Sequence, residues 1–350
     1  MSTNSTQLLS TLTGSFPFLN AQPLCEQILA SAAIPAWPQL PRRDFRENMY
    51  AQYSPLLPGI VIDSTKEKVY FDTSGDLTPD LENFYEHYLA DDVDAFALNP
   101  DFAVGFYAML AALKNTPGEW VKGHVTGPVS FGLTVTDQNL RCSLYDETLA
   151  DTIIKNMGMY ARWQVRQLKA LRPNVVIFVD EPYMASFGSA FIATSREQVT
   201  AYLNEVFAAI HAEGGIAGVH CCGNTDWSVL MATEVDILNL DALGYIENLS
   251  LYPAEVRRFL EKGGQLAWGA LPNDESALNA QPEALASHFV NGLRIVARRA
   301  EAQGVDLPLN IWKNTSLISP ACGMGSTTPH VAERVLSLLE PTRQAVLALL

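Results

Sequence analysis

The sequence predicts an α/β protein folded as a (β/α)₈ TIM barrel, with an elaborated helical connection after the second strand. Three observations predict it. Short apolar runs recur eight times, at residues 8–13, 59–62, 121–125, 175–179, 216–219, 237–240, 265–268 and 309–312. Most are rich in Val, Ile and Leu with little alternation, as strands buried on both faces should be. Helical patterns fall between them, and eight strands alternating with helices suit a closed barrel. The rival, an open dinucleotide-binding sheet, calls for G-x-G-x-x-G after its first strand. The chain reads Thr13-Gly14-Ser15-Phe16-Pro17 there.

The elements follow in order. Residues 66–117 read as mostly helical and are long for one crossover, which makes them the elaborated connection. Residues 146–171 form a long amphipathic pattern. Residues 195–212 open with Ser195 and Glu197, plausible capping chemistry ahead of an apolar face. The patterns at 253–262, 282–303 and 329–350 each begin near a proline, a residue suited to the first helical turn. No repeat, low-complexity tract or linker interrupts residues 1–350, so one domain is expected.

Composition narrows the function. The 350 residues are 48% hydrophobic and 17% charged, enough apolar material for a sizeable core. A net charge of -15 repels phosphate backbones, so nucleic acid is not an expected partner. Residues 1–7 are polar and lack the basic and apolar regions of a signal peptide. No apolar stretch reaches the roughly 18 residues that span a bilayer. A cytoplasmic protein with no membrane partner is therefore expected. Five cysteines, an odd number in such a chain, point to metal binding or catalysis rather than a disulfide framework.

Barrel chemistry sits just after the strands. His220-Cys221-Cys222-Gly223 follows the run at 216–219, and in extended backbone His220 and Cys222 face the same way while Cys221 points away. Imidazole and thiolate are ligands zinc prefers; the alternative is a buried histidine among core cysteines. Cys322 lies in Ser319-Pro320-Ala321-Cys322-Gly323, a tight loop after the last run, where packing explains a cysteine poorly. Three ligands with an open position describe a catalytic zinc site. Asp241, closing the run at 237–240, either fills the fourth position or caps a helix. Asp180-Glu181-Pro182 follows the run at 175–179, and two acids there suit ammonium binding or acid/base work, or else a capped turn. Thr126-Gly127-Pro128, preceded by Lys122 and His124, is a turn that can bring backbone close to a ligand. His87, His211, His288 and His330 read as surface or packing residues, and Cys25 and Cys142 as structural.

Together, in this order along nearly the whole chain, these motifs resemble the superfamily of cobalamin-independent methionine synthase and uroporphyrinogen decarboxylase. His-x-Cys with a distant Cys-Gly is similar to its methyltransferase side. The resemblance implies a (β/α)₈ barrel in a short form holding only the catalytic half. It implies zinc on His220, Cys222 and Cys322, with Asp241 where the synthases carry a liganding Glu. It also implies that Ser15, Asp180 and Glu82 hold the amino-acid part of homocysteine. The folate-dependent enzymes carry a histidine after the seventh strand to protonate the leaving group. This chain reads Trp268-Gly269-Ala270-Leu271-Pro272-Asn273. A methylcobamide or a corrinoid protein is thus the favoured methyl donor, with methyl-folate the alternative.

The expected activity is transfer of a methyl group to a thiol, most favourably homocysteine. Two other readings compete. A porphyrinogen decarboxylase would use N-terminal arginines, for which Arg42 and Arg43 are available, but would leave three metal ligands unexplained. A zinc-binding scaffold without turnover would not need the open position or the acidic pair.

Overall fold

The computed structural model describes residues 8–189 and 192–350; the polar segment 1–7 lies outside the described residues. Its strands are β1 Leu9–Ser10, β2 Ile60–Asp63, β3 Lys68–Phe71, β4 Trp120–Thr126, β5 Asn174–Asp180, β6 Ile216–Cys221, β7 Ile237–Asp241, β8 Gln265–Leu271 and β9 Ser316–Pro320. Seven of them form one sheet in the order β1-β9-β8-β7-β6-β5-β4, and every neighbouring pair is parallel. Each apolar strand is buried on both faces because helices cover the outside.

The two edges of this sheet, β1 and β4, are joined by residues 34–36. Parallel bridges pair Thr11 with Ile34 and Ala36 with Lys122. The Ile34 N–H donates to the Ser10 carbonyl at 2.9 Å, and the Lys122 N–H to the Pro35 carbonyl at 2.8 Å. This segment stands where the second barrel strand belongs, so the sheet curls into the expected (β/α)₈ form. The segment at 59–62, expected in that place, instead makes an antiparallel hairpin with β3. The reason is local chemistry. Pro35 and Pro38 deprive the real segment of ladder donors, leaving only isolated bridges and a poor strand signature.

The last strand also differs. Leu309–Lys313 is a 3₁₀ helix, and the strand is Ser316–Pro320. Its serines face polar partners, with Trp268 Nε1 donating to Ser316 Oγ at 2.8 Å, so the strand lacks an apolar signature. The connection at 66–117 is long, as expected, but mixes strand β3 with helices Thr78–Leu89 and Val104–Leu113. The later helices form as predicted: Glu147–Lys169, Arg196–Ala212, Pro253–Glu261, Pro282–Glu301 and Pro329–Leu349. Ser195 caps the second of these, with Gln198 rather than Glu197 completing the box. Among the described residues no helix is long and apolar enough to cross a membrane.

Two apolar clusters result. The larger lies between sheet and helices. The smaller takes Ile34, Val176, Phe178, Ile237, Ala267 and Leu317 from five positions around the ring and fills its centre. The polar side chains of His124, Asp180 and His220 lie toward the C-terminal ends of their strands, where barrels place chemistry, with Lys122 and Asn239 deeper along theirs.

Candidate metal centre

A cavity of about 390 Å³ opens at those strand ends, walled by Thr13, Ser15, Asp180, His220, Cys222 and Cys322 among others. The ligand atoms of His220, Cys222 and Cys322 all lie within 4.8 Å of one another, near enough to hold one ion. Strand pleat explains the first two: His220 and Cys222 reach the cavity, while Cys221 between them is fully buried in the core.

The histidine is oriented from behind. His220 Nδ1 lies 2.6 Å from Asn239 Oδ1. Asn239 in turn donates from Nδ2 to the Ala267 carbonyl at 2.7 Å and Ser319 Oγ at 3.0 Å. With its amide so fixed, Asn239 Oδ1 accepts a hydrogen bond from the Nδ1–H of His220, and the lone pair of the ring is left on Nε2. That Nε2 is buried and has no hydrogen-bond partner among the described residues. A buried imidazole nitrogen without a partner, next to two cysteine sulfurs, fits a soft or borderline metal such as zinc.

The sulfurs act on one another. A hydrogen bond from Cys322 and the neighbouring imidazole of His220 lower the pKa of the Cys222 thiol. The same contact, with burial, pushes Cys322 up. The pair therefore favours the thiolate on Cys222, the form that ligates metal. Cys322 is carried on a loop tied to the first strand's loop: Met324 N–H donates to the Ser15 carbonyl at 2.8 Å and Gly325 N–H to Ser15 Oγ at 3.3 Å. Gly323 allows this close approach, since a Cβ there would stand 2.1 Å from Ser15 Oγ and displace it. Ser15 thus both walls the cavity and seats the Cys322 loop.

Asp180 and Glu181 part company. Asp180 faces the cavity, and its Oδ1 is buried without a partner among the described residues. Burial pushes its carboxyl up to about 6 against the opposing pull of Lys122 and His220. Lys122 lies fully buried, donating from Nζ to the Thr13 carbonyl at 2.6 Å and sitting 4.2 Å from the Phe178 ring centre. It is a cation placed near an unpaired carboxylate. Sequence reading noted this lysine without giving it a role.

Glu181 does not face the cavity, which corrects its expected acid/base role. Oε1 accepts the Val129 N–H at 2.9 Å, and Oε2 accepts the Ser130 N–H at 2.7 Å and Ser130 Oγ–H at 2.6 Å. It caps helix Pro128–Thr134 from inside the core. The Thr126-Gly127-Pro128 turn serves the same contact, because a Cβ on Gly127 would meet Glu181 Cδ at 2.1 Å.

Two further expectations meet different surroundings. Asp241 ends β7, but its Oδ1 accepts the N–H groups of Leu243 and Gly244 at 2.8 and 3.0 Å. It caps helix Ala242–Tyr245 and stands outside the group of three ligands. Glu82 is exposed on helix Thr78–Leu89 and is not on the cavity wall, which corrects its expected place beside the substrate. The helix turns Phe84 into the core, leaving Glu82 on the outer side. Asn239, which sequence reading passed over, was signalled only as one amide in an apolar strand.

No protein-family model matches the sequence, and no curated protein matches it. Solved structures do. A B12-independent methionine synthase from Shewanella superposes with a TM-score of 0.55 at 15% identity, over 98% of each chain. A methyltransferase from Methanosarcina mazei superposes with a TM-score of 0.54 at 12% identity, over 92% of this chain and 82% of that one. At these identities the likeness bears on the fold, and it agrees with the barrel expected from the sequence.

Proposed function

We propose that this chain is a zinc-dependent methyltransferase that moves a methyl group to a small thiol, most favourably homocysteine to give methionine. The observation that carries the reading is His220, with a partnerless Nε2, whose ligand atom lies within 4.8 Å of the sulfurs of Cys222 and Cys322 at the mouth of the barrel. The methyltransferases among the structural neighbours support it. Zinc held there would keep a substrate thiol deprotonated at neutral pH, ready as a nucleophile.

The chain's own residues do the rest. Asn239 fixes the tautomer of His220. Asp180, buried with a free oxygen on the cavity wall, receives the ammonium of an amino-acid thiol. Lys122 keeps that carboxylate charged despite its burial. A methyl-corrinoid is the favoured donor, since its cobalt leaving group needs no protonated nitrogen.

The decarboxylase reading finds less support. Arg42 donates to the Gly325 carbonyl at 3.1 Å, and Arg43 pairs with Glu47 at 2.8 Å. Both arginines are committed to loop structure rather than aimed at a substrate. The test is metal analysis of the purified protein, expected to give about one zinc per chain, with loss of the metal in Cys222→Ser and Cys322→Ser while the fold persists. Full zinc retention in both variants removes this reading.

A further inference from the structure

The loop that carries Cys322 runs from the end of β9 toward helix Pro329–Leu349 and is held from three sides. Ser15 seats it from the first strand's loop through Met324 and Gly325. Asn273 Nδ2 donates to the Gly323 carbonyl at 3.1 Å. The third tether is Arg42. Its Nε donates to the Gly325 carbonyl at 3.1 Å, and its Nη2 to the Ser326 carbonyl at 2.6 Å. One guanidinium thus grips two successive carbonyls.

Three observations single this arginine out. The carbonyls it holds belong to the wall of the thiol cavity, where Gly325 and Ser326 stand with Cys322, and Pro41, beside Arg42 in sequence, lines the same cavity. A Cβ on Gly325 would stand 2.9 Å from Pro41 Cγ and 3.2 Å from Ser15 Cβ, so the loops meet in a seam with no side chain of Gly325 between them. Arg42 spans that seam. Its charge is also not spent on an acid. Arg43 pairs with Glu47 at 2.8 Å and Arg46 with Asp44 at 2.7 Å, whereas Arg42 pairs with no carboxylate among the described residues. Finally, the turn that bears it is braced. The Leu40 carbonyl accepts the Arg43 N–H at 2.9 Å, and the Leu40 N–H donates to Oε2 of the buried Glu47 at 3.1 Å. A rigid fork on a fixed turn sets the place of whatever it holds.

Resting on the function proposed above, we infer that Arg42 is a positioning residue for the metal centre, latching the Cys322 loop so that its sulfur stays in reach of Cys222 and His220. Arg42 is not itself on the cavity wall. Ser15 and Asn273 fix the loop at residues 323–325, and Arg42 fixes its far side at 325 and 326. Without the arginine the loop is pinned on one side only, and the sulfur gains freedom. An ion leaves its site one ligand at a time, so a loosened ligand shortens its stay. Asn239 plays the corresponding part for His220.

The test uses the full chain loaded with zinc, and the variants Arg42→Ala and Arg42→Lys. Arg42 is exposed, so neither change opens a hole in the core. Transfer of zinc to a chromogenic chelator gives the release rate. The same proteins are then loaded with cobalt(II), whose thiolate charge-transfer absorption reports how the sulfurs are held. Arg42→Ala is expected to release zinc roughly tenfold faster, the low end of what partners of metal ligands contribute. Its cobalt–thiolate absorption should weaken, while the melting temperature of the metal-free protein stays at the wild-type value. Arg42→Lys, a point charge that cannot fork across two carbonyls, is expected to fall between. Wild-type release and absorption in Arg42→Ala overturn the assignment. So does faster release joined to a lower melting temperature of the metal-free protein, which makes Arg42 a residue of the fold alone. A wild type that takes up no zinc removes the proposed function and the latch together. A wild type that holds zinc no better than Arg42→Ala removes the latch and leaves the proposed function standing.

Discussion

His220 Nδ1 and Asn239 Oδ1 stand 2.6 Å apart across neighbouring strands, where His220 and Asn239 are register partners in the β6–β7 ladder. The contact determines which imidazole nitrogen is available at the cavity. Asn239 cannot flip its amide without losing its bonds to Ala267 and Ser319. Replacing it with Leu removes the acceptor and frees the ring. Zinc affinity of Asn239→Leu, measured by competition with a chelator, is expected to fall about 10–100-fold, as when other metal-orienting partners are lost. Wild-type affinity in this variant would mean that packing alone holds the ring.

Asp180 gives a sharper test of substrate recognition, because its place on the cavity wall and its buried orphan oxygen separate it from the ligands. Asp180→Asn keeps the shape and removes the charge. Loss of a charge-assisted contact costs about 1.5–3 kcal/mol. The KM for homocysteine should therefore rise about 10–100-fold, with zinc content unchanged. A thiol lacking the amino group, such as mercaptoethanol, should be used equally by both proteins. An unchanged KM returns Asp180 to a role in the turn.

Glu181 is expected to govern stability instead of chemistry. Burial raises its carboxyl to about 7, outweighing the hydrogen bonds from Ser130 and Val129 that lower it. The folded state therefore holds this proton more tightly than the unfolded chain, whose value is near 4.5. The contribution is full below about 4.5 and is lost as pH rises through about 7. Glu181→Gln should remove that part of the slope and cost about 1–3 kcal/mol through its mismatched amide. Urea midpoints at pH 5 and pH 8 report both effects. A pH slope identical to wild type would show that Glu181 does not carry it.

The sequence made the site easier to read than the barrel that holds it. His220, Cys222 and Cys322 stood out because clustered soft ligands after predicted strands have few other uses. The barrel's second strand was hidden because Pro35 and Pro38 erase the ladder pattern on which strand recognition rests. Its last was hidden because Ser316 and Ser319 face polar partners where apolar side chains are expected. Separating Asp180 from Glu181 was within reach, since adjacent residues leaving a strand point to opposite sides. Asn239 was not, because its role depends on the register between β6 and β7, which one chain's pattern does not encode. Glu82 rested on resemblance alone, and the helix that bears it turns it outward.

The donor is the remaining question, and the stretch after β8 bears on it. A nitrogen leaving group, as in methyl-folate, must be protonated as its bond breaks, and a positioned acid contributes about 10²–10⁴-fold to such a step. Residues 268–273 offer no histidine, and the structure commits them elsewhere. Trp268 Nε1 bonds to Ser316, Gly269 packs against Ala321, and Asn273 Nδ2 donates to the Gly323 carbonyl at 3.1 Å, bracing the Cys322 loop. Two other groups that could donate a proton, Glu181 and His124, are not placed to help. Glu181 is buried in its cap. His124 stacks on Trp37 with ring centres 3.9 Å apart, and burial with the nearby Lys122 holds its pKa well below the usual range. A methyl-corrinoid needs no such proton. The zinc-loaded enzyme is therefore expected to methylate homocysteine from methylcobalamin or a methylated corrinoid protein, and at least 10²-fold more slowly from methyl-folate. Methionine formation followed with each donor in turn checks this. Efficient turnover on methyl-folate without any corrinoid would reverse the choice of donor while leaving His220, Cys222 and Cys322 in their roles.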